Sequence, residues 1–443
     1  MKAAPARTGP GAPPRRGVLL VVPNIGRDLP GLVLVGNQLS TRFGHSPMFC
    51  QPYELDEIIR ERRPAVVLFD QLGTGTRARQ ALLARSVGAR VLVLPTAGFL
   101  HDPAAEARRA GVEFGSDRLV DRYLAWGPYG RDLLVEQGVL AAAQIAVVGC
   151  PRFDFYHPSY HALGTSRDEV LAAAGLAPCE RLIVWTTATY YERSASSTQR
   201  GDGIADHESA DIHDERVQTE QLSHVLMDLA LRHPEWGFLI KVHPCEREDP
   251  YRELARARPN IASTTSIAIN SAILRCDALL QHSSTTAVEA WFTDLPVIEV
   301  TSSEYRIPSR PEYLRGCDVC SDAAAVSEAL QRHFHSGTIP AEQRAAREAF
   351  HAELCTGGDG RSAERCAAAI HDALRQPPRA IVGESRQSEL PRAGRRATLR
   401  RLRRRVPRWL GGQRGIVDVA LAREVEHLLG ALRRMGPSEG GST

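Results

Sequence analysis

The feature that most constrains the fold is a regular alternation of short, continuously apolar runs with amphipathic stretches. Gly17–Val22, Ala65–Phe69 and Gly237–Val242 are runs of this kind, and helical periodicity follows each of them. A run that is apolar without alternation is buried on both faces, which is typical of the interior of a parallel sheet. Because helices join parallel strands, the repeated units predict doubly wound α/β domains.

The pattern occurs twice along the chain. At 443 residues the chain exceeds what one hydrophobic core usually supports. We predict two Rossmann-like domains at residues 17–150 and 181–376, a linker at 151–180, a disordered segment at 1–16, and a basic tail with a short helix at 377–443. Two such domains that face each other across a cleft form the GT-B arrangement. The predicted strands are Gly17–Val22, Met48–Gln51, Ala65–Phe69, Arg90–Leu94, Arg122–Trp126, Gln144–Val148, Arg181–Thr187, Gly237–Val242, Ala278–Gln281 and Pro296–Val300.

The charge of the chain is unevenly distributed. The net charge is only +3, yet arginines crowd residues 392–408, so the remainder is mildly acidic and a general nucleic-acid surface is not expected. No signal-peptide core and no membrane-length apolar run occurs, and we predict a cytoplasmic protein. The arginines interleave with Leu399, Leu402 and Trp409, a pattern that suits an anionic membrane surface at the inner face of the plasma membrane. A disordered tail without a partner is the alternative.

Two segments of the second series predict a phosphate site. Lys241-Val242-His243-Pro244 ends one strand, and a hydroxyl-rich turn, His282–Thr286, ends another and opens a predicted helix, Thr285–Thr293, with Ser283 or Ser284 as its N-cap. A helix N-terminus, hydroxyls and a neighbouring imidazole can bind a phosphate without a metal. Both segments lie at the carboxyl ends of strands, where open α/β sheets bind nucleotides. A capped helix and a loop histidine would explain either segment alone.

Several short phrases, in their order along the chain, resemble the bacterial surface carbohydrate (surface polysaccharide) biosynthesis protein family. That family is similar to GT-B glycosyltransferases with a His-Pro motif, such as Kdo transferases and sialyltransferases, and more distantly to the glycerophosphotransferases of teichoic acid synthesis. The resemblance covers roughly residues 17 to 375. The phrases are Arg27-Asp28-Leu29-Pro30-Gly31, Trp126-Gly127, Gly149-Cys150-Pro151-Arg152-Phe153-Asp154, Lys241-Val242-His243-Pro244, Ser283-Ser284-Thr285-Thr286-Ala287, Glu289-Ala290-Trp291 and Asp359-Gly360-Arg361-Ser362-Ala363.

The resemblance assigns donor-binding roles to the second series. In the His-Pro transferases the histidine and a later Ser/Thr pair contact the donor's phosphate, and these roles fall on the His243-Pro244 pair and on Ser283 and Ser284. Thr285 and Thr286 are adjacent to Ser284. The resemblance also implies that residues 17–150 bind the acceptor and residues 181–376 bind the nucleotide-sugar.

Two charged residues near these motifs can be interpreted in two ways each. The carboxylate of Glu289 could accept hydrogen bonds from a ribose diol, or it could face solvent on its helix. Lys241 could help to neutralise a phosphate, or it could be a surface cation.

The acceptor side is less well defined. Arg27 and Asp28 follow the first strand and therefore face the cleft, although Asp28 could instead be the N-cap of the helix that follows. Arg152 and Asp154, where the chain crosses between domains, are expected to fix the hinge. In relatives the loop after Arg90–Leu94 tends to carry a glutamate before its glycine, and here Ala97 precedes Gly98.

If that glutamate is the catalytic acid or base in relatives, another residue must act here. The candidates fall in two groups, one beyond Gly98 and one in Tyr190–Ile212, a polar segment that is either a mobile lid or a disordered insertion. They are Asp102, His101 and Glu106 in the first group, and Asp206, Asp211 and His213 in the second. We predict a catalytic set of His243, Asp211 and Asp102.

The leading hypothesis is a glycosyltransferase that moves a sugar from a nucleotide-activated donor to a glycan or lipid-linked glycan acceptor. It would need no cofactor, and metal independence is expected because no DxD pair follows a strand. A nucleotide-sugar 2-epimerase-like enzyme is a second hypothesis, separable because an epimerase converts the donor alone. A non-catalytic nucleotide-binding partner in polysaccharide assembly is a third, for which Ala97 is the best support.

Overall fold

The computed structural model describes residues 17–71, 75–96, 119–187, 209–243, 246, 248–301, 314–356, 358–376 and 419–435. These residues form two fully parallel six-stranded sheets. The strands are β1 (Val18–Val21), β2 (Pro47–Cys50), β3 (Val66–Phe69), β4 (Arg90–Val93), β5 (Arg122–Ala125), β6 (Ile145–Val147), β7 (Arg181–Thr186), β8 (Trp236–Lys241), β9 (Ile261–Thr264), β10 (Ala278–Gln281), β11 (Val297–Val300) and β12 (Asp318–Cys320).

The strand orders are those of doubly wound folds. The first lobe has the order β2-β1-β3-β4-β5-β6 and the second has β12-β11-β10-β7-β8-β9. Counted from its own first strand, the second lobe has the order 3-2-1-4-5-6 of dinucleotide-binding domains, and the first lobe begins 2-1-3-4-5 like flavodoxin. Such sheets bind ligands where the order reverses, which is between β1 and β3 in the first lobe and between β7 and β10 in the second.

Helices cover both sheets. None of the described helices is long and apolar enough to cross a membrane. They are α1 (Leu29–Thr41), α2 (Leu55–Arg62), α3 (Gly75–Ser86), α4 (Pro128–Glu136), α5 (Arg167–Ala174), α6 (Ser209–Arg232), α7 (Asp249–Arg256), α8 (Ile269–Arg275), α9 (Thr286–Ala290), α10 (Ala323–Ser336), α11 (Ala341–Leu354), α12 (Ser362–Arg375) and α13 (Val419–Met435), with short 3-10 helices at Ala142–Gln144, Pro151–Tyr156, Pro158–Leu163 and Trp291–Thr293.

The continuously apolar runs are strands, as predicted, within one or two residues at each end. β1, β3 and β8 are buried at every position. Two strands were not predicted, β9 and β12, and these are the two edges of the second sheet. An edge strand is covered on fewer sides, so its sequence need not be a continuous apolar run. β9 accordingly contains Ser263 and Thr264, and β12 leaves Val319 half exposed.

The crossing segment, the 3-10 helix Pro151–Tyr156 that follows β6, is hydrogen-bonded to the start of α12, far along the chain. The carboxylate of Asp154 accepts hydrogen bonds from the backbone N–H groups of Ser362 (3.0 Å) and Ala363 (2.7 Å), so it caps α12. α12 in turn packs on α1 of the first lobe. A Cβ at Gly31 of α1 would lie 2.5 Å from the backbone nitrogen of Arg152, so only glycine allows this approach.

The C-terminal helix α13 is part of the folded body. Its apolar residues Leu421, Val425 and Leu428 are buried in the same core cluster as the inner residues of α1. α13 contacts α1 and the 3-10 helix Pro158–Leu163. α1 is buried along most of its length and therefore needs cover on several sides.

We expect Val425→Ala to lower the free energy of unfolding by about 2 kcal/mol, because it removes two buried methyl groups and leaves a cavity. Urea denaturation of the full chain measures the change. Glu426→Ala, at the exposed neighbouring position, is the matched control and should change stability by less than about 0.5 kcal/mol. Equal effects of the two substitutions would contradict the packing of α13.

Candidate functional site

In the second lobe the predicted phosphate residues follow neighbouring interior strands, at the carboxyl ends of these strands. His243 follows β8, Ser283 follows β10, and β7 lies between these two strands. The backbone N–H of His243 donates to Oγ1 of Thr187, just beyond β7, at 2.9 Å. On the other side of β7, Oγ1 of Thr186 lies 2.8 Å from Oγ1 of Thr286. Hydrogen bonds therefore join three neighbouring strand ends at the point where the strand order reverses.

The hydroxyl turn is built from the inside by two buried side chains. Both carboxylate oxygens of Glu299 accept the backbone N–H of Ser283, at 3.0 and 3.1 Å, and Oε1 of Gln281 accepts that of Ser284 at 2.7 Å. Ser283 has a φ of 45°, a left-handed conformation that is uncommon outside glycine. The N–H groups of Ser283 and Ser284 are thus used within the protein, and a ligand would meet the hydroxyls of the turn instead.

The helix after the turn is shorter than predicted, and its N-cap is different. α9 has five residues and continues as the 3-10 turn Trp291–Thr293. Neither Ser283 nor Ser284 is the N-cap, because Thr285 holds that position without a side-chain capping bond. Ser284 still contributes, since its Oγ accepts the N–H of Thr286 at 3.3 Å and lies 2.8 Å from Oγ1 of Thr286.

Lys241 is buried rather than a surface cation. The residue is 7% exposed, and its Nζ donates to the carbonyl of Val242 at 3.0 Å and to that of Thr265 at 3.4 Å. Burial lowers the pKa of Lys241 to about 8, with Glu248 and Glu246 acting in the opposite direction. A contact between this ammonium and a phosphate stays a prediction.

Glu289 does not face solvent, because it is 4% exposed and joined to the crossing segment. Its carboxylate accepts hydrogen bonds from Nη2 of Arg152 at 3.2 Å and from the hydroxyl of Tyr156 at 2.8 Å. Arg152 also donates from Nη1 to the carbonyl of Thr96, at 2.8 Å, in the loop after β4. Arg152 therefore connects the helix that follows the hydroxyl turn with the first lobe, and its role in fixing a hinge stays a prediction.

A pocket lies in the first lobe, at the carboxyl ends of β1, β3 and β4. Asp28, predicted on the acceptor side, lines this pocket; it occupies the N-cap position of α1 but makes no side-chain capping bond. Its carboxylate pairs with Nε of Arg27 at 2.8 Å and lies 3.7 Å from Nη1 of Arg152. Asp70, which follows β3, lines the same pocket and pairs with Nε of Arg77 at 2.9 Å.

Some predicted residues lie outside the part of the chain that the structure describes. These are Asp102, Gly98 and Pro244, together with the alternatives His101, Glu106 and Asp206. Asp211 lies in α6, at a position whose side chain is likewise outside the described set. Among the described side chains no group of three metal-ligating residues comes together, and metal independence stays a prediction.

Sequence reasoning missed two polar side chains of this region. Asp70 was overlooked although it ends an apolar strand, Val-Val-Leu-Phe-Asp, and a charged residue directly after a buried strand is a usable signal. Tyr156 was treated as part of a linker, and nothing in its local sequence indicates that its hydroxyl meets a carboxylate 133 positions away.

His351, on α11, contacts α9 and the 3-10 turn that follows it. Its Nε2 lies 3.0 Å from the carbonyl of Val288, and the ring stacks on Phe292 at a centroid distance of 3.7 Å. Burial lowers the pKa of His351 to about 4, so the imidazole is neutral at pH 7 and donates from Nε2.

We expect His351 to make the fold acid-sensitive. Its pKa is lower in the folded than in the unfolded chain, so the unfolded chain binds more protons and stability falls as the pH drops from about 6.5 to about 4. The full effect is about 3 kcal/mol. Urea denaturation at pH 7 and pH 4.5 should show a smaller difference for His351→Asn than for the wild type. His427→Asn, at an exposed position, should leave the difference unchanged; an unchanged difference in His351→Asn would refute the assignment.

Solved structures share this two-lobed fold at low sequence identity. MnaA of S. aureus, in a co-structure with UDP, aligns over 83% of this chain and 100% of its own with a TM-score of 0.54 and 13% identity. The UDP-GlcNAc 2-epimerase of Neisseria meningitidis, bound to UDP-GlcNAc, aligns over 81% and 99% with a TM-score of 0.52 and 14% identity. The wall teichoic acid polymerase TagF, soaked with CDPG, aligns over 82% and 89% with a TM-score of 0.55 and 10% identity.

These likenesses confirm the predicted fold class: the chain is an α/β protein of the GT-B type, with two doubly wound lobes. No protein-family model and no curated protein sequence matches the chain.

Proposed function

We propose that this chain is a GT-B-type glycosyltransferase of the surface carbohydrate biosynthesis family. It would move a sugar from a nucleotide-activated donor to a capsule or O-antigen type glycan acceptor. The single observation that carries the proposal is the hydrogen-bonded cluster at the ends of β7, β8 and β10. There the backbone of His243 bonds to Thr187 and Thr286 of the hydroxyl turn bonds to Thr186, on adjacent residues at the end of β7, where a sheet of this order binds nucleotides.

The cluster suits the diphosphate or phosphate of a nucleotide donor. Its hydroxyls can donate to phosphate oxygens, and His243 can add a further donor that is stronger when the partner is charged. Stabilising the phosphate as it leaves lowers the barrier for breaking the anomeric bond. That MnaA and TagF were studied with UDP and CDPG supports a nucleotide ligand for this fold. Peripheral contact of the arginine-rich tail with an anionic membrane is part of the proposal and would bring the enzyme to a lipid-linked acceptor.

A thermal-shift panel of CMP, CDP, UDP and GDP tests the nucleotide site. One nucleotide at about 100 times its dissociation constant should stabilise the protein by about 2.7 kcal/mol. His243→Ala should weaken its binding roughly 10- to 100-fold, because one hydrogen bond to a charged group is lost. His335→Ala, an exposed histidine on α10, is the matched control. The proposal fails if no nucleotide shifts the melting temperature, or if His243→Ala responds like His335→Ala.

A nucleotide-sugar 2-epimerase is the second candidate, and a specific observation favours it. Such an enzyme needs acidic and basic groups around the sugar ring, and Asp28, Asp70 and Arg152 line the first-lobe pocket. Arg27 and Arg77 pair with the two aspartates. A product assay without acceptor separates the two candidates, because an epimerase converts the nucleotide-sugar to its isomer on its own. Transfer that requires a glycan acceptor would exclude it.

A further inference from the structure

The first-lobe pocket has the make-up of a binding site for a small polar molecule. It opens at the carboxyl ends of β1, β3 and β4, where the strand order of the first sheet reverses. Its walls are apolar, with Leu32, Leu68, Leu94 and Trp126 among them. A few polar groups converge in it, namely Asp28, Asp70 and Arg152. Apolar walls with a small number of placed polar groups are typical of ligand pockets.

Asp70 is held rigidly in this pocket. Its side chain is 3% exposed, and both carboxylate oxygens accept hydrogen bonds from Arg77, from Nε at 2.9 Å and from Nη2 at 3.3 Å. Arg77 is in turn fixed by Gln80, whose Oε1 accepts from its Nη1 at 3.1 Å. A carboxylate that is clamped in this way has one orientation, as a group that acts on a reacting atom needs.

Arg152 is a second polar side chain of the pocket. It is 10% exposed, and its Nε has no hydrogen-bond partner among the described residues. A buried donor without a partner is unusual in a folded protein. Arg152 also reaches Glu289 on α9, so the pocket and the hydroxyl turn are connected through one side chain.

We propose that Asp70 is the catalytic base that deprotonates the acceptor hydroxyl, with Asp28 beside it, and that the pocket admits this hydroxyl. The inference rests on the proposed transferase function and supplies the base that the loop at Ala97 lacks.

The reaction balances without a cofactor. A carboxylate oxygen of Asp70 takes the proton of the acceptor hydroxyl while that oxygen forms a bond to the anomeric carbon of the donor. The bond from this carbon to the phosphate oxygen breaks, and its electron pair leaves with the nucleotide phosphate. His243 and the hydroxyl turn bind the departing phosphate, and the proton on Asp70 is released to water after the products leave.

The surroundings of Asp70 make its carboxylate more basic than that of a free aspartate. Burial and the nearby carboxylate of Asp28 raise the pKa of Asp70, and Arg77 opposes them. Cys50 faces it from the end of β2, and burial keeps that thiol neutral by raising its pKa. Removal of the charge of Asp28 should therefore lower the pKa of Asp70.

The test measures hydrolysis of the nucleotide-sugar whose nucleotide is selected by the thermal-shift panel, with water in place of the acceptor hydroxyl, as a function of pH. Asp70→Asn should lower turnover at least 100-fold and abolish the rise of the rate with pH. Asp28→Asn should shift that rise to lower pH, which a purely structural role would not do. In both variants the nucleotide-induced thermal shift should equal that of the wild type. Asp132→Asn, a surface aspartate paired with Arg131, is the control.

The outcomes are distinct. Turnover of Asp70→Asn above one-tenth of the wild-type value, with the pH dependence kept, overturns the inference while the proposed function stands. Nucleotide binding by the wild type without release from the matching nucleotide-sugar also overturns it. If no nucleotide binds, the proposed function itself fails. If Asp70→Asn does not fold, Asp70→Glu keeps the charge and the pairing with Arg77, and a loss of less than threefold in turnover would count against a placed base.

Discussion

Arg152→Ala should destabilise the protein by about 3–5 kcal/mol, one of the two largest effects that we expect. Removal of the guanidinium leaves Glu289, which is 4% exposed, with a buried charge that the hydroxyl of Tyr156 alone contacts among the described residues. It also removes the hydrogen bond to the carbonyl of Thr96 and the contacts of the guanidinium with the faces of Trp126 and Phe153, at 5.0 Å each.

Urea denaturation measures the change, and Arg131→Ala provides the matched control. Arg131 pairs with Asp132 at the surface, with both side chains about half exposed, so its loss should change stability far less than the loss of Arg152. A double-mutant cycle with Glu289→Gln isolates the pair, because the second substitution removes the uncompensated charge. If Arg152→Ala costs no more than Arg131→Ala, the link between the lobes does not depend on this pair.

The series of strands could be predicted because burial on both faces leaves a continuous apolar run in the sequence. β1, β3, β7 and β10 were found in this way, and so was the division into two lobes. Helix α5 was missed because it lies in a segment interpreted as a linker. The local signal was present, however, since Ser166 and Glu169 form a capping box at its start.

Only those residues of the candidate site that directly follow a predicted strand could be found from the sequence. His243 and the hydroxyl turn each follow an apolar strand, and the topology brings strand ends together. The partners of Glu289 could not be predicted, because Arg152 lies 137 positions away and the sequence does not encode which arginine a buried carboxylate meets. The contact of His351 on α11 with the carbonyl of Val288 in α9 is likewise a tertiary effect, between residues 63 positions apart.

The first-lobe pocket and the helix after the hydroxyl turn share one arginine, and this suggests how the two lobes act together. Arg152 contacts Asp28 and Thr96 in the first lobe and Glu289 in the second. Any ligand that draws Glu289 away from this arginine changes the groups that face the first-lobe pocket. Stability and the proposed function would then depend on the same side chain, and nucleotide binding should be measured alongside stability in every variant of Arg152.

Glu299 is the other position where we expect a large effect, because its buried carboxylate is hydrogen-bonded to the backbone of the hydroxyl turn. Its side chain is fully buried and accepts hydrogen bonds from the backbone N–H of Ser283 and from Nε2 of Gln281. Nδ1 of His282 lies 3.0 Å from its Oε1 and 3.0 Å from the carbonyl of Val300. Since both neighbours are acceptors, Nδ1 carries the proton.

Glu299→Ala should lower the free energy of unfolding by about 3–5 kcal/mol, since it leaves several buried donors without an acceptor. It should also weaken nucleotide binding, because the left-handed conformation of Ser283 persists only while its surroundings enforce it. Glu299→Gln keeps one acceptor oxygen and the volume, so it should retain part of both properties. Urea denaturation and the thermal-shift panel measure the two effects separately.

The comparison of the two variants decides what the carboxylate does. If Glu299→Gln restores stability but not nucleotide binding, the negative charge itself is needed to hold the donors of Ser283 and His282 in the binding geometry. If Glu299→Ala loses stability and still binds the nucleotide as tightly as the wild type, the turn does not contact the phosphate. The nucleotide would then bind elsewhere, and His243→Ala should also be without effect on its affinity.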